Sequence, residues 1–297
     1  MSRPHVVVVS KRTAYSRYVE DERDPRVVEL LRRRDPAVHG WQKSHREHSR
    51  TLDEVERVLS RQGVRVLLVQ RAQAVFDVED AALVVVVGGD GTLLAASHSV
   101  GASGAILGVN SAPEYSVGFF CAARRETFRG KVAAALEGKL ESVTLTRMAV
   151  EVNGRRRSSR VLNEALFCHS SPAATSRYEL HRGKVREEQR SSGFWIGPAA
   201  GSTAALRSAG GKVLPLGSRA LQLVVREPYV MFGRSYKLLK VLIEDGQQLV
   251  AESKMDEAAL FLDGPYRQLP VQLGDEVSFR ASDEPLKLLG LRSRMKR

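Results

Sequence analysis

The sequence predicts an α/β plus all-β protein: an N-terminal Rossmann-like domain built on a parallel sheet, followed by a β-rich, sandwich-like C-terminal domain. Three observations carry that expectation. Leu83 to Val87 are five consecutive apolar residues, four of them valine, the composition of a strand buried on both faces of a parallel sheet. Strand and helix patterns alternate as far as Leu136, and such alternation gives right-handed crossovers between parallel strands. Past residue 140 the pattern becomes that of hairpins, with Asn153-Gly154 as a two-residue turn. The expected division is residues 1–124 for the α/β domain and 125–297 for the β-rich one, the last ~25 residues packing back on the first domain.

His5 to Ser10 is the first strand. Asp24 is a natural N-cap and Pro25 suits the first helical position, so a helix follows with Val27, Val28, Leu30 and Leu31 as its apolar stripe. Residues 35–49 are polar and read as irregular; His45 and His48 are three apart, but no third metal ligand stands near them. Thr51 and Glu54 form a capping-box pattern that opens a second helix, ended by Gly63. Val64 to Val69 and Gly104 to Val109 are further strands, and Phe128 to Leu136 is a helix. In the second half, Thr144 to Val152 and Arg160 to Phe167 flank the Asn153-Gly154 turn as a hairpin. Tyr178 to Leu180 pairs with Val185 to Gln189 across Arg182-Gly183. The Arg155 to Arg157 run lies just past a turn and reads as a solvated tip.

The chemistry concentrates where the valine strand stops. Gly88, Gly89 and Gly91 frame one acid, Asp90, and Thr92 opens a helical run. Glycines let an anion approach the main chain, and the first N–H groups of a helix have no intrahelical partner. An acid there would repel phosphate unless a metal or a reacting hydroxyl needs it, so the loop suggests general-base work beside a polyphosphate. It is neither a Walker A loop nor the dinucleotide fingerprint. Asn110-Ser111 ends the next strand at the same carboxyl edge, where ligands of such sheets bind. Asn163-Glu164 interrupts an apolar strand, which is useful at a strand end or pocket wall. Gly197 to Gly211 is a second glycine-rich loop whose small residues would let a flat ligand lie against backbone.

Composition narrows the class. The 297 residues are 43% hydrophobic and 27% charged, as in globular proteins, and no uncharged apolar run is long enough to span a membrane. The net charge is +12, but basic residues are scattered and aromatics are 6%. That pattern argues against nucleic acid and for a surface that attracts a small anion. Cys121 and Cys168 lack zinc or disulfide spacing. The first strand follows the start so closely that no targeting segment is expected, and the expected compartment is the cytoplasm.

Four motifs occur in one order: Gly88-Gly89-Asp90-Gly91-Thr92; Gly108-Val109-Asn110 leading to Gly118-Phe119-Phe120; Asn163-Glu164; and Gly201-Ser202-Thr203-Ala204 with Ser208 to Gly211. In that order they resemble the NAD kinase family over roughly residues 5 to 265, and Ser191-Ser192-Gly193 and Ser176-Arg177-Tyr178 look closer to its mitochondrial, NADH-preferring branch. The resemblance implies transfer of the γ-phosphate of ATP to the 2′-hydroxyl of the adenosine ribose of NAD or NADH, with Mg²⁺ or another divalent cation. Asp90 would accept the hydroxyl proton or hold the cation. Gly88, Gly89, Gly91 and Thr92 would steady the phosphates, with Asn110 at the same edge. Asn163 and Glu164 would bind hydroxyl and base groups, and Phe119, Thr203, Ala204 and Ser208 would line the adenine pocket. The family also works as homodimers or homotetramers. Ser192 and Ala205 stand where the family usually has Asp and Tyr, which bears on the choice between NAD and NADH. The alternatives are a lipid kinase of the diacylglycerol or sphingosine type, which shares the first loop, and a non-catalytic dinucleotide-binding protein.

Overall fold

The computed structural model describes residues 4–70, 78, 81–230 and 235–291; Met1 to Arg3, on which the expectation of no targeting segment partly rests, lie outside them. The chain forms two compact units, Met1–Val143 with Lys287–Arg292, and Thr144–Leu286 with Ser293–Arg297.

The first unit is an α/β layer structure. Its strands are β1 (His5–Ser10), β2 (Arg65–Val69), β3 (Ala81–Gly88), β4 (Ala105–Asn110) and the short β5 (Ala123–Arg124). The helices are α1 (Pro25–Arg32), α2 (Trp41–Arg61), α3 (Asp90–Ser97) and α4 (Phe128–Leu136). β1 pairs in parallel with β2 and β3, and β3 with β4. The valine run sits in the middle of this sheet, buried on both sides as its composition requires. Asp24 caps α1 as expected, accepting the N–H groups of Arg26 and Val27.

Two local expectations are corrected here. α2 starts at Trp41 rather than at Thr51, and spans 21 residues. Its first half is polar because only His48, Thr51, Val55, Val58 and Leu59 are buried, so the apolar stripe begins late while the helix does not. The Thr51 hydroxyl donates to the carbonyls of Glu47, one turn back, and of Ser111, so it does not cap. α3 likewise begins at Asp90, with Gly89 as its N-cap, two residues before the expected start.

The second unit packs two antiparallel six-stranded sheets on one core. After β6 (Ser142–Leu145), which is the edge strand of the first unit's sheet, the strands of the second unit run from β7 (Met148–Val152) through β8 (Arg155–Val161), β9 (Ala165–His169), β10 (Ser176–Arg182), β11 (Val185–Ser191), β12 (Phe194–Pro198) and β13 (Leu221–Val225). They end with β14 (Lys240–Ile243), β15 (Gln248–Ser253), β16 (Ala258–Leu262), β17 (Gln268–Val271) and β18 (Glu276–Ala281); the last strand, β19 (Leu286–Leu289), belongs to the sheet of the first unit. β19 pairs in parallel with β4 through Lys287 and Leu288. The sheet orders are β11-β10-β15-β18-β7-β8 and β14-β13-β12-β9-β16-β17. Their inner faces meet at Phe167, Tyr178, Phe194 and Phe279, whose rings stack or meet edge to face 5.1–5.9 Å apart.

The Asn153-Gly154 turn forms with both residues at positive φ, 51° and 71°, as a type I′ hairpin demands. Its second strand is β8, not 160–167. The three arginines expected at a solvated tip form the exposed start of β8. Asn163 and Glu164 thus fall in the break where the chain leaves one sheet for the other.

Candidate active site

In the first unit, β3 and β4 end side by side at the carboxyl edge, Gly88 in register with Asn110. A Cβ on Gly88 would meet Thr92 Oγ1 at 2.3 Å and one on Gly89 would meet Ser116 Oγ at 2.3 Å, so both glycines are needed by the protein itself. Above Gly91 there is nothing within 4 Å. That is the open face of the loop. Half-buried Asp90 opens α3, and its two carboxylate oxygens accept the N–H groups of Phe119 and Phe120, each at 2.9 Å. The turn that delivers these donors needs Gly118, at φ 63°, because a Cβ there would strike the Asn110 side chain. Asn110 braces the same turn, donating to Ser116 O at 2.9 Å and accepting from Ala112 N–H. Asn110 and Phe119 therefore position Asp90, Phe119 through its backbone. Each Asp90 oxygen keeps a further lone pair for a hydroxyl proton or a cation. Cys121, next to this turn, is held as a thiol: burial first, and then the Asp90 charge, push it up to about 12.

Beyond the end of β1 lies a cavity of about 490 Å³, its walls including Lys11, Arg12, Thr13, His45 and His48. Burial pulls Lys11 below the usual lysine range, partly offset by Glu47; a desolvated ammonium there favours an anion. Burial, with Lys11 and His45 adding repulsion, pushes His48 down to about 4, and its Nδ1 lies 2.9 Å from Ser111 Oγ. His45 contacts Thr13 Oγ1 at 2.8 Å and Glu20 at 3.3 Å. These two histidines are engaged by the protein and form no metal cluster among the described residues.

In the second unit, Asp263, at φ 50°, gathers the β8–β9 break around itself. Its carboxylate accepts Leu162 N–H at 2.8 Å, Asn163 N–H at 2.6 Å and Glu164 N–H at 3.1 Å, while its own N–H bonds Glu164 O. Asn163 and Glu164 are both buried. One Glu164 oxygen has no hydrogen-bond partner, and burial, then the Asp263 charge, push the carboxyl up to about 7. The second glycine loop packs on this break. A Cβ on Gly201 would come within 1.7 Å of Asn163 O, and one on Gly197 within 2.3 Å. Thr203 and Ala204 follow, half-buried, at the end of the 3-10 turn Ala199–Thr203, and Ser208 is exposed at the end of α5 (Ala205–Ser208). Gly193, after Ser192, sits at φ 93° against Phe167 O, so that motif builds a tight turn. Asp263 and Lys11 escape a reading of the sequence. The only signal for the first is the turn dipeptide Asp263-Gly264, and for the second its place just past a strand.

Comparison with known proteins places the chain in context. A family model described as the ATP-NAD kinase N-terminal domain matches residues 19–140. A probable NADH kinase of Oryza sativa subsp. japonica is 34% identical over 262 residues, which are 81% of this chain and 80% of that protein. Among solved structures, an NAD kinase from Archaeoglobus fulgidus in complex with ATP aligns over 96% of this chain and 92% of its own, with a TM-score of 0.68 at 21% identity. Yeast NADH kinase complexed with NADH aligns over 99% and 85%, with a TM-score of 0.71 at 13% identity.

Proposed function

This chain belongs to the NAD kinase family, and from that we infer how its residues share out the reaction. It is an NAD(H) kinase, moving the γ-phosphate of ATP to the 2′-hydroxyl of the adenosine ribose of NAD or NADH. A lipid kinase or a non-catalytic dinucleotide binder gives way to this reading, because similarity to an NADH kinase runs over 81% of the chain.

One observation carries the division of roles: Asp90 is fixed by two backbone N–H groups beside a glycine with open space over it. In that place the carboxylate accepts the proton of the attacking hydroxyl, while the Gly91 N–H at the start of α3, with the Thr92 side chain, steadies the γ-phosphate. Phosphoryl transfer depends on positioning and charge stabilisation more than on covalent help, and a loop held by Gly88, Gly89 and Asn110 supplies position. Lys11 and the cavity past β1 give the remaining phosphates a cationic wall. The donor set suits Mg²⁺, since the hard oxygens of Asp90 and the phosphates are its usual ligands, and a bound cation would neutralise charge developing on the phosphates. Asn163 and Glu164 bind ribose hydroxyls and base, held in register by Asp263; Thr203, Ala204 and Ser208 border the adenine.

A homodimer or homotetramer is our reading of the assembly, supported by the exposed apolar residues Val66, Leu67 and Leu68 on the edge strand β2. A cytoplasmic location is supported by the two free thiols; no helix among the described residues is long and apolar enough to cross a membrane. The test is NADP(H) formation by the purified protein with Mg²⁺-ATP, on NAD and NADH in parallel, beside Asp90→Asn. Turnover on either dinucleotide is expected. A folded protein that phosphorylates neither overturns the reading.

A further inference from the structure

The outer face of the β11-β10-β15-β18 sheet carries a row of acids that pairing alone does not explain. Glu188, Glu179, Glu252 and Glu276 stand in direct register on four adjacent strands, and like charges directly opposite one another destabilise a sheet. His181 lies two residues beyond Glu179 and so on the same face. Its Nε2 is buried, makes no hydrogen bond, and lies 3.5 Å from Glu179 Oε2. One ligand atom each from Glu179, His181 and Glu252 falls within 4.8 Å of the others. Lys254, bonded to Glu252 Oε1, and Arg186, opposite His181, offset part of the charge.

We propose that Glu179, His181 and Glu252 form a divalent-metal site for an imidazole-accepting ion such as Zn²⁺, separate from the residues that handle ATP and the dinucleotide. One nitrogen and two carboxylate oxygens are a three-ligand set that Zn²⁺ takes, with water as the fourth. Tetrahedral Zn²⁺ with bonds near 2.0–2.1 Å needs ligand atoms about 3.3 Å apart, so small rotamer shifts in side chains that are 14–25% exposed close the set. Because the ligands come from β10 and β15, the ion ties the β10–β11 hairpin to the rest of its sheet and removes the repulsion between facing carboxylates. Its role is to staple the sheet, and no step of phosphate transfer uses it. The His181 nitrogen favours Zn²⁺ over a hard ion such as Mg²⁺, which prefers oxygen ligands and keeps its waters.

The test is calorimetric titration of the full chain, dialysed against chelator and free of nucleotide, with zinc chloride, alongside His181→Ala and Glu252→Gln. The expected result is one Zn²⁺ per chain, weakened at least tenfold in each variant. The melting temperature should rise with Zn²⁺ in the wild type only. Cobalt should give a visible absorption band that disappears with His181→Ala. Absence of binding, or binding unchanged in both folded variants, overturns the proposal, the second case placing the ion on other residues. Turnover without added Zn²⁺ should match the wild type in both variants.

Discussion

Asp90 in the first unit receives an N–H group on each oxygen, whereas Glu164 in the second is buried with one oxygen bare. The contrast separates two uses of a carboxyl group. The first is locked into one orientation at the mouth of a rigid loop, the arrangement for accepting a proton at a fixed place. The second is left short of partners, so that a ligand hydroxyl completes it, and until then its charge is costly. Asp263 shows that the fold can satisfy a carboxylate in that same region when it chooses, spending three backbone donors on it. Glu164, whose own N–H is one of those donors, is denied them on its side chain.

The contrast can be broken at several points. Asp90→Asn should have the largest effect, lowering kcat by ~10²–10⁴ with little change in KM for the dinucleotide, as loss of a general base does. Its amide must also face two N–H donors, so a melting-temperature drop is expected, and steady-state kinetics below that temperature keeps the two effects apart. Gly91→Ala sharpens the comparison in the other direction. With nothing near its Cβ, alanine should leave stability unchanged or slightly raised at this first-turn position, while obstructing the phosphates and removing most activity. Gly201→Ala should do the opposite, because its Cβ would press on Asn163 O. A stability loss of about 1–3 kcal/mol and at least a tenfold rise in KM for the dinucleotide, read by thermal unfolding and kinetics, are expected.

Glu164→Gln gives the most specific change, one that depends on pH. With its pKa raised from the ordinary 4.5 to about 7, the folded protein binds a proton that the unfolded chain has released between those values. Stability therefore falls as pH rises through that window and stays low above it, by about 3 kcal/mol at most. Glutamine, always neutral, should flatten the decline and raise the melting temperature at pH 8, while weakening NAD(H) binding. Unfolding curves from pH 4 to 8 measure this.

The layers of the fold were legible because they depend on local periodicity: a continuous valine run for a doubly buried strand, hairpin turns for the second unit. The start of α2 was not, since only polar residues fill Gln42 to Arg50 ahead of its apolar stripe and a capping-box pattern stands inside it. Asp90 was legible because an acid framed by glycines has no structural use. Asp263 was not, because the backbone groups it holds lie 99 to 101 residues away, a distance over which no local pattern reaches. The glycines of the second loop read as room for a ligand, yet Gly197 and Gly201 are there to let two stretches of backbone meet.

The most direct test of the account is a single-turnover measurement with saturating Mg²⁺-ATP and dinucleotide, comparing the wild type, Asp90→Asn and Glu164→Gln. The account predicts a phosphoryl-transfer rate lost with Asp90→Asn and largely kept with Glu164→Gln once the dinucleotide is saturating. A full rate in Asp90→Asn would contradict it.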